Sequence, residues 1–249
     1  MNRILFEKSE ISGGVATCGG ARARHILSVL HGEVGQVLRT GEVGGKVGTG
    51  EIVEIAGDGD EPVVKVKVCH GEEPLPSWCD LVLAPPRPRV MKRILPQLAS
   101  LGVGRIVLVG ARKVEKDFWG ATLLKEENWR PLLVEGLMQA GTGELPTLET
   151  RRSLKSFLSD ELDARFPTAN RVIAHPYGAG TEGAAADAAA PDRLLLAVGP
   201  EGGWTDDEVA LFEGRGFSRM SLGPRILRTD TAVVALLSIL NEKQKGEKK

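Results

Sequence analysis

Leu194-Leu195-Leu196-Ala197-Val198-Gly199-Pro200-Glu201-Gly202-Gly203-Trp204 and, further on, Met220-Ser221-Leu222-Gly223-Pro224-Arg225-Ile226-Leu227-Arg228 share one design. In each, a short apolar run breaks at Gly-Pro and hands over to a helix. Buried strands of a mostly parallel sheet read as short continuous apolar runs bounded by turn residues. Ligands of open α/β sheets sit beyond the carboxyl ends of such strands, so two adjacent Gly-Pro loops would line one pocket. Thr205-Asp206-Asp207-Glu208 reads as a capping box opening the first helix, which Gly214 or Gly216 can end. Thr229 is the expected N-cap of the second helix, with Asp230 in its first turn. The run from Ala232 to Leu240 is apolar almost all round, which predicts a buried helix.

Neither loop matches the dinucleotide fingerprint or the phosphate loop of nucleotide hydrolases. Gly and Pro can simply punctuate strand ends. Two such loops, each with a charged residue next in line, shift the balance toward a site.

At 249 residues the chain suits one large domain, or an ordinary domain with a small one. A hydrophobic fraction of 42% supplies a sizeable core, while the scarcity of aromatics, with a single Tyr, argues against stacking platforms for single-stranded RNA. Met1 to Glu7 lacks the apolar stretch of a signal peptide and no run reaches membrane-spanning length. The three cysteines, Cys18, Cys69 and Cys79, form no Cys-x-x-Cys and read as reduced thiols, so a cytoplasmic protein with no membrane and no metal is expected. A net charge of −1 hides a gradient. Residues 1–74 balance at −3, whereas residues 85–130 reach +6 and include Arg87, Arg89 and Arg112. That basic stretch is either a phosphate-binding surface or a set of solvated helix faces.

Residues 1–73 read as a small all-β domain, with runs at Arg3–Phe6, Gln36–Thr40, Lys46–Ile55 and Val63–Val68, a turn at Asp58-Gly59, and one helical interruption from Ala21 to Leu30. Val64, Val66 and Val68 alternate with Lys65 and Lys67, the mark of a strand with one wet face. So many short strands suggest a small barrel. The junction Glu72-Glu73-Pro74-Leu75-Pro76 sets a second domain at 74–249. There, a strand over Cys79–Pro85, a helix over Val90–Leu101 that Pro96 should kink or break, Gly102 as C-cap, and a strand over Arg105–Val109 make a βαβ unit. Residues 121–140 read as helical, interrupted by Pro131 and closed by Gly141. A strand over Arg171–Ala174 ends at His175-Pro176. Gly178 to Pro191 reads as a surface loop and Lys243 to Lys249 as a disordered tail.

Val198-Gly199-Pro200-Glu201-Gly202-Gly203 followed by Leu222-Gly223-Pro224-Arg225-Ile226-Leu227-Arg228-Thr229-Asp230-Thr231-Ala232 closely resembles the paired signature of the RsmE family, ribosomal small-subunit RNA uracil-N3 methyltransferases of the SPOUT superfamily. The resemblance implies an α/β fold with a SPOUT-type parallel sheet and a C-terminal trefoil knot, preceded by a PUA-like β-barrel. It implies S-adenosylmethionine as methyl donor, N3 of a uridine in 16S rRNA of the small ribosomal subunit as acceptor, and a homodimer. The donor would be held by Val198, Gly199, Pro200, Glu201, Gly202, Gly203, Leu222, Gly223, Pro224, Ile226, Leu227, Arg228 and Ala232, with His175 and Pro176 as a third wall. Arg22 and Arg24, in an Arg-x-Arg-His cluster resembling the family's Arg-His element, join Arg87, Arg89 and Arg112 as candidate RNA contacts. His25 beside them reads as structural, packing or capping near the helix.

Loss of the N3 proton puts negative charge on the flanking carbonyl oxygens, so a base and a cation would both help. Arg228 is the expected cation and Glu201 the expected base. The chain departs from the common family pattern at Pro86-Arg87-Pro88, where a Lys is usual, and at Gln139-Ala140-Gly141-Thr142, which lacks the family's Arg; the cofactor loops are unaltered. A methyltransferase of tRNA or another rRNA site, and an RNA-binding assembly factor without turnover, stand as alternatives.

Overall fold

The computed structural model describes residues 3–57, 61–167, 169–176 and 193–247, so the expected turn at Asp58-Gly59 and the loop from Gly178 to Pro191 lie outside the described residues. The chain divides into two compact units, one of Met1–Pro76 with Val134–Leu145, the other of Ser77–Leu133 with Pro146–Lys249. The first break follows Pro76, three residues beyond the expected boundary between residues 73 and 74. The return of residues 134–145 to the first unit was not anticipated.

Among the described residues of Met1–Pro76, the first unit is a six-stranded sheet with one α-helix, joined by the end of a later helix. Its elements are β1 (Ile4–Phe6), β2 (Ile11–Ser12), β3 (Val15–Cys18), α1 (Gly20–Ser28), β4 (Val37–Glu42), β5 (Val47–Ala56) and β6 (Val63–Glu72), in the sheet order β1-β4-β5-β6-β3-β2. Val64 and Val66 of β6 are fully buried, and they join Ile4, Phe6, Ala23, Ile26 and Ile52 in one core. β2 and β3 escaped the sequence reading because neither is long enough to show a period. Residues 134–145 are held by backbone and by one arginine. The Arg3 N–H donates to Met138 O at 2.9 Å and its Nε to Gly141 O at 2.9 Å, while Nη1 reaches Thr40 O at 2.6 Å.

The second unit contains β7 (Cys79–Leu83), α2 (Pro88–Ser100), β8 (Val103–Val109), α3 (Glu126–Ala140, shared with the first unit), β9 (Thr147–Arg151), the short helices α4 (Leu154–Ser156) and α5 (Leu162–Arg165) joined by a π-turn, β10 (Asn170–Ala174), β11 (Leu194–Val198), α6 (Asp206–Glu213), β12 (Ser218–Met220) and α7 (Thr229–Glu247). Every pairing in its sheet, ordered β12-β10-β11-β7-β8-β9, is parallel. β7 and β11 are buried along their whole length, which is why both read as unbroken apolar runs. One side of the sheet packs on Phe157, Phe166, Trp204, Phe212 and Phe217. α2 and α7 pack on each other, burying Met91, Ile94, Leu95 and Leu98 of the former and Val233, Leu236, Leu237 and Leu240 of the latter. Asp80 of β7 is fully buried and held by two arginines, Arg193 through Nε and Nη2 at 2.7 Å and Arg105 through Nε at 3.2 Å.

Several local expectations need correction. α2 runs through Pro96 and α3 through Pro131 without a break in either helix. The second Gly-Pro loop is preceded by Ser218–Met220, so Ser221 and Leu222 already belong to the loop. Thr229 is the first residue of α7, and the Arg228 carbonyl accepts the Ala232 N–H at 2.8 Å, which puts Arg228 at the cap position. α7 buries a stripe and leaves Ile239 at 40% exposure, because 19 residues of helix present more circumference than α2 covers. The expected tail is helical as far as Glu247.

Candidate functional site

The carboxyl ends of β10, β11 and β12, three neighbouring parallel strands, open on one cavity of about 480 Å³. β10 contributes Ala174, His175 and Pro176. The loop after β11 contributes Val198 to Trp204. The loop after β12 contributes Ser221, Leu222, Gly223, Arg225, Ile226 and Leu227, and α7 closes the floor with Thr229, Ala232 and Leu236. The volume lies within the roughly 300–1,000 Å³ of pockets that enclose drug-sized ligands.

Local chemistry shapes each wall. The capping box forms as expected: Glu208 N donates to Thr205 Oγ1, and the buried Glu208 carboxylate accepts the Thr205 N–H at 2.8 Å. The other oxygen of that carboxylate accepts the Arg112 N–H at 2.8 Å, which ties the segment after β8 to the start of α6. Lys113 then lies against the first loop, its Nζ donating to Gly202 O at 2.8 Å. A Cβ on Gly199 would stand 3.0 Å from Trp204 N and 3.2 Å from Gly203 Cα, both backbone, so the tight fold of this loop depends on a glycine there. Gly223 has φ +95, in the left-handed region. The His175 N–H donates to Met220 O at 3.0 Å, fastening the third wall to the second loop. Burial, and then the charge of Arg219, keep the His175 imidazole below its ordinary pKa despite Asp206 and Glu213, so at neutral pH it is uncharged. Trp204 is 3% exposed, and its indole N–H has no hydrogen-bond partner among the described residues.

Of the residues expected to hold a donor, the structure places His175, Pro176, Val198, Gly199, Pro200, Glu201, Gly202, Gly203, Leu222, Gly223, Ile226, Leu227 and Ala232 in this lining. Pro224 and Arg228 are not part of it. Arg228 is exposed at the start of α7, and Arg225 takes the place in the wall. Glu201 is in the wall, but its Oε1 already accepts the Arg87 N–H at 3.0 Å. Lys113, Thr205, Asp206 and Ser221 line the cavity unannounced by the sequence, because contacts between residues 113 and 202 leave no local signature.

The expected RNA contacts fare differently. Arg22 is half-buried and spent internally, on Glu10 and on Leu5 O at 2.8 Å. Arg24 and Arg89 are exposed. Arg87 pairs with Glu115 at 3.0 Å, and Arg112 stands 3.9 Å from Asp207. In the same basic stretch Arg93 pairs with Asp230 at 2.7 Å and Arg105 with Asp80. Much of its positive charge is therefore consumed within the fold. All three cysteines are free, with Cys18 and Cys79 buried and Cys69 exposed; among the described residues no helix is long and apolar enough to cross a membrane.

Comparison with known proteins gives this architecture relatives. An RNA methyltransferase domain family matches residues 73–241. Ribosomal RNA small subunit methyltransferase E of Treponema pallidum is 32% identical, over 96% of this chain and 90% of that protein. Ribosomal RNA small subunit methyltransferase E 1 of Borreliella burgdorferi is 25% identical, over 94% of this chain and 95% of that one. Among solved structures, a ribosomal RNA small subunit methyltransferase E of Neisseria gonorrhoeae bound to S-adenosyl methionine superposes with a TM-score of 0.72 over 96% of this chain and 97% of that one, at 21% identity, which shows the shared fold. With a family match over most of its length and a relative this similar from end to end, the chain belongs to the RsmE family of ribosomal RNA small subunit methyltransferases.

Proposed function

We propose that the protein transfers a methyl group from S-adenosylmethionine to N3 of one uridine in the 16S rRNA of the small ribosomal subunit. The observation that carries this reading is the convergence of both Gly-Pro loops and the His175-Pro176 strand end on one cavity. The residues present suit the donor. Ile226 is 71% exposed and Leu227 38% exposed in the wall, apolar surface that an adenine ring would cover. The close backbone of the Gly199–Gly203 loop offers amides and carbonyls to its edges. The neutral His175 adds no positive charge against a sulfonium. When bound, the donor supplies an electrophilic methyl.

The protein's own part is to place the acceptor in line with that methyl and to manage one proton. The N3 proton leaves for a carboxylate, the nitrogen lone pair takes the methyl, and the former carbon–sulfur bonding pair stays on sulfur. Of the two carboxylates in the wall, Glu201 and Asp206, Glu201 is proposed for this part, because it also lines the neighbouring cavity and only its Oε1 is engaged by the Arg87 N–H. Arg228 and Arg89, exposed on the same unit, and Arg24 on the other, are proposed to meet RNA phosphates. The reading carries with it a SPOUT trefoil knot, a PUA-like barrel closed from the six-stranded sheet, a homodimer and a cytoplasmic location. The exposed side of α7 supports a partner helix there.

Titration calorimetry with S-adenosylmethionine, then tritium transfer onto small subunits lacking the modification and mapping of the label, tests the proposal. Label at a single uridine N3 of 16S rRNA is the expected result. Label on tRNA or another rRNA position overturns the target, and absence of donor binding overturns the enzyme.

A further inference from the structure

A second cavity, about 340 Å³, lies in the same unit. One side is the Pro85–Pro88 loop at the carboxyl end of β7, and the other is the chain after β8, including Val114, Glu115 and Phe118. Three residues line both cavities: Lys113, Glu201 and Gly202. A group held in one cavity can react with a group in the other only across that partition. We infer that the second cavity receives the target nucleobase, turned out of the RNA, and that Lys113 is the cation facing the negative charge that develops on its carbonyl oxygens. The inference rests on the methyl-transfer reading above and adds the acceptor side to it.

The charges around the partition single out Lys113. Arg87 and Glu115 at the second cavity pair with each other at 3.0 Å, and the Glu201 carboxylate already holds the Arg87 N–H. Lys113 has no ion pair among the described residues; its ammonium rests on the neutral Gly202 carbonyl and keeps two further N–H donors. Its backbone is set from the neighbouring residue, because the buried Glu208 carboxylate grips the Arg112 N–H. The backbone beside Lys113 is thus held while its charge stays unspent. Enzymes that act on the Watson–Crick edge of a base, where N3 lies, cannot reach it inside a duplex; they take an unpaired base or extrude one, and seat it in a pocket. A cation preorganised at the site of developing charge lowers the barrier without further reorganisation. Arg228, exposed and outside both linings, is not placed for that part.

The test uses the full chain, small subunits lacking the modification, and saturating tritiated S-adenosylmethionine. Lys113→Met should lower kcat by about 100-fold, the usual loss for one such donor. Because Lys113 also lines the donor cavity, calorimetry sets the donor concentration that saturates each variant, so the loss is read in kcat alone, and Lys113→Arg should recover about a tenth of the lost rate or more. Independently of turnover, subunit RNA carrying 4-thiouridine at the mapped position should photo-crosslink to peptides spanning residues 85–88 or 113–118. A Lys113→Met protein that turns over within about threefold of an active wild type, or crosslinks confined to other segments, overturns the inference alone. A wild type that labels no RNA removes the methyl-transfer reading, and this inference with it.

Discussion

Replacing Asp80 with Asn should cost the fold far more than the site. The carboxylate is fully buried in a central strand, and it receives two 2.7 Å bonds from Arg193 and one of 3.2 Å from Arg105. Arg105 also lies over the Phe166 ring at 4.4 Å, so its position is set by packing as well as by charge. Asparagine keeps the shape but removes the negative charge and turns a donor toward two guanidinium groups. Removing one partner of a buried pair costs about 3–5 kcal/mol. Arg105 and Arg193 are 34% and 31% exposed and can regain water, which puts the loss at the low end, about 3 kcal/mol. For a unit of this size, about 2–4 °C per kcal/mol gives a Tm lower by roughly 6–12 °C. Differential scanning calorimetry reads this directly. Asp80 lines neither cavity and lies three residues, about 10 Å along the strand, before Leu83 at the carboxyl end of β7, so donor affinity at 25 °C should be unchanged. A Tm within about 2 °C of wild type would refute the reasoning, because the buried carboxylate would then not be paying back its desolvation.

Two further outcomes follow from the loops. Gly223→Ala meets no atom within 4 Å, yet forces an L-residue to φ +95, a strain of about 1–2 kcal/mol. The exposed loop will relax when free and must be restored on binding, so S-adenosylmethionine affinity should weaken about 5- to 30-fold by calorimetry; a Kd within about twofold of wild type would count against the loop as part of the cradle. His175 and His70 both titrate below the ordinary value of 6.5 in the folded chain, chiefly through burial, with Arg219 and Lys113 adding to the push on His175 against Asp206 and Glu213. Below pH 6.5 the unfolded chain therefore binds more protons than the folded one, and stability falls as pH drops from 6.5 through the folded pKa values. His175→Asn should flatten part of that fall in urea denaturation at pH 7.5 and 5.5, and an unchanged slope would show that His175 contributes none of it.

What the sequence made legible was local. The capping box at Thr205 needs only four adjacent residues, and β11 and β7 announce themselves because both faces are buried. β9 was missed because Thr147–Arg151 is an edge strand whose charged side chains, Glu149 and Arg151, face Arg165 and Glu161 rather than a core. Pro131 was misjudged for a physical reason too: it sits in the second turn of α3, where the helix sacrifices one backbone bond and continues. The cradle could be read as a pair of loops, but Lys113 could not be read as its neighbour. Its placement depends on a capping carboxylate 96 positions away from Arg112.

The sheet unit formed by the first strands is discontinuous along the chain. Arg3 must wait for the carbonyls of Met138 and Gly141, and the Gly44 N–H for Gly143 O at 2.7 Å. During synthesis, which proceeds from the amino end at roughly 5–20 residues per second, that unit cannot finish until about the 145th residue has left the ribosome. A fragment ending at Pro76, however sensible it looks on paper, omits its own fastening. Anyone grafting this module onto another enzyme has to carry the end of α3 and the loop after it, as a second, separately encoded strip.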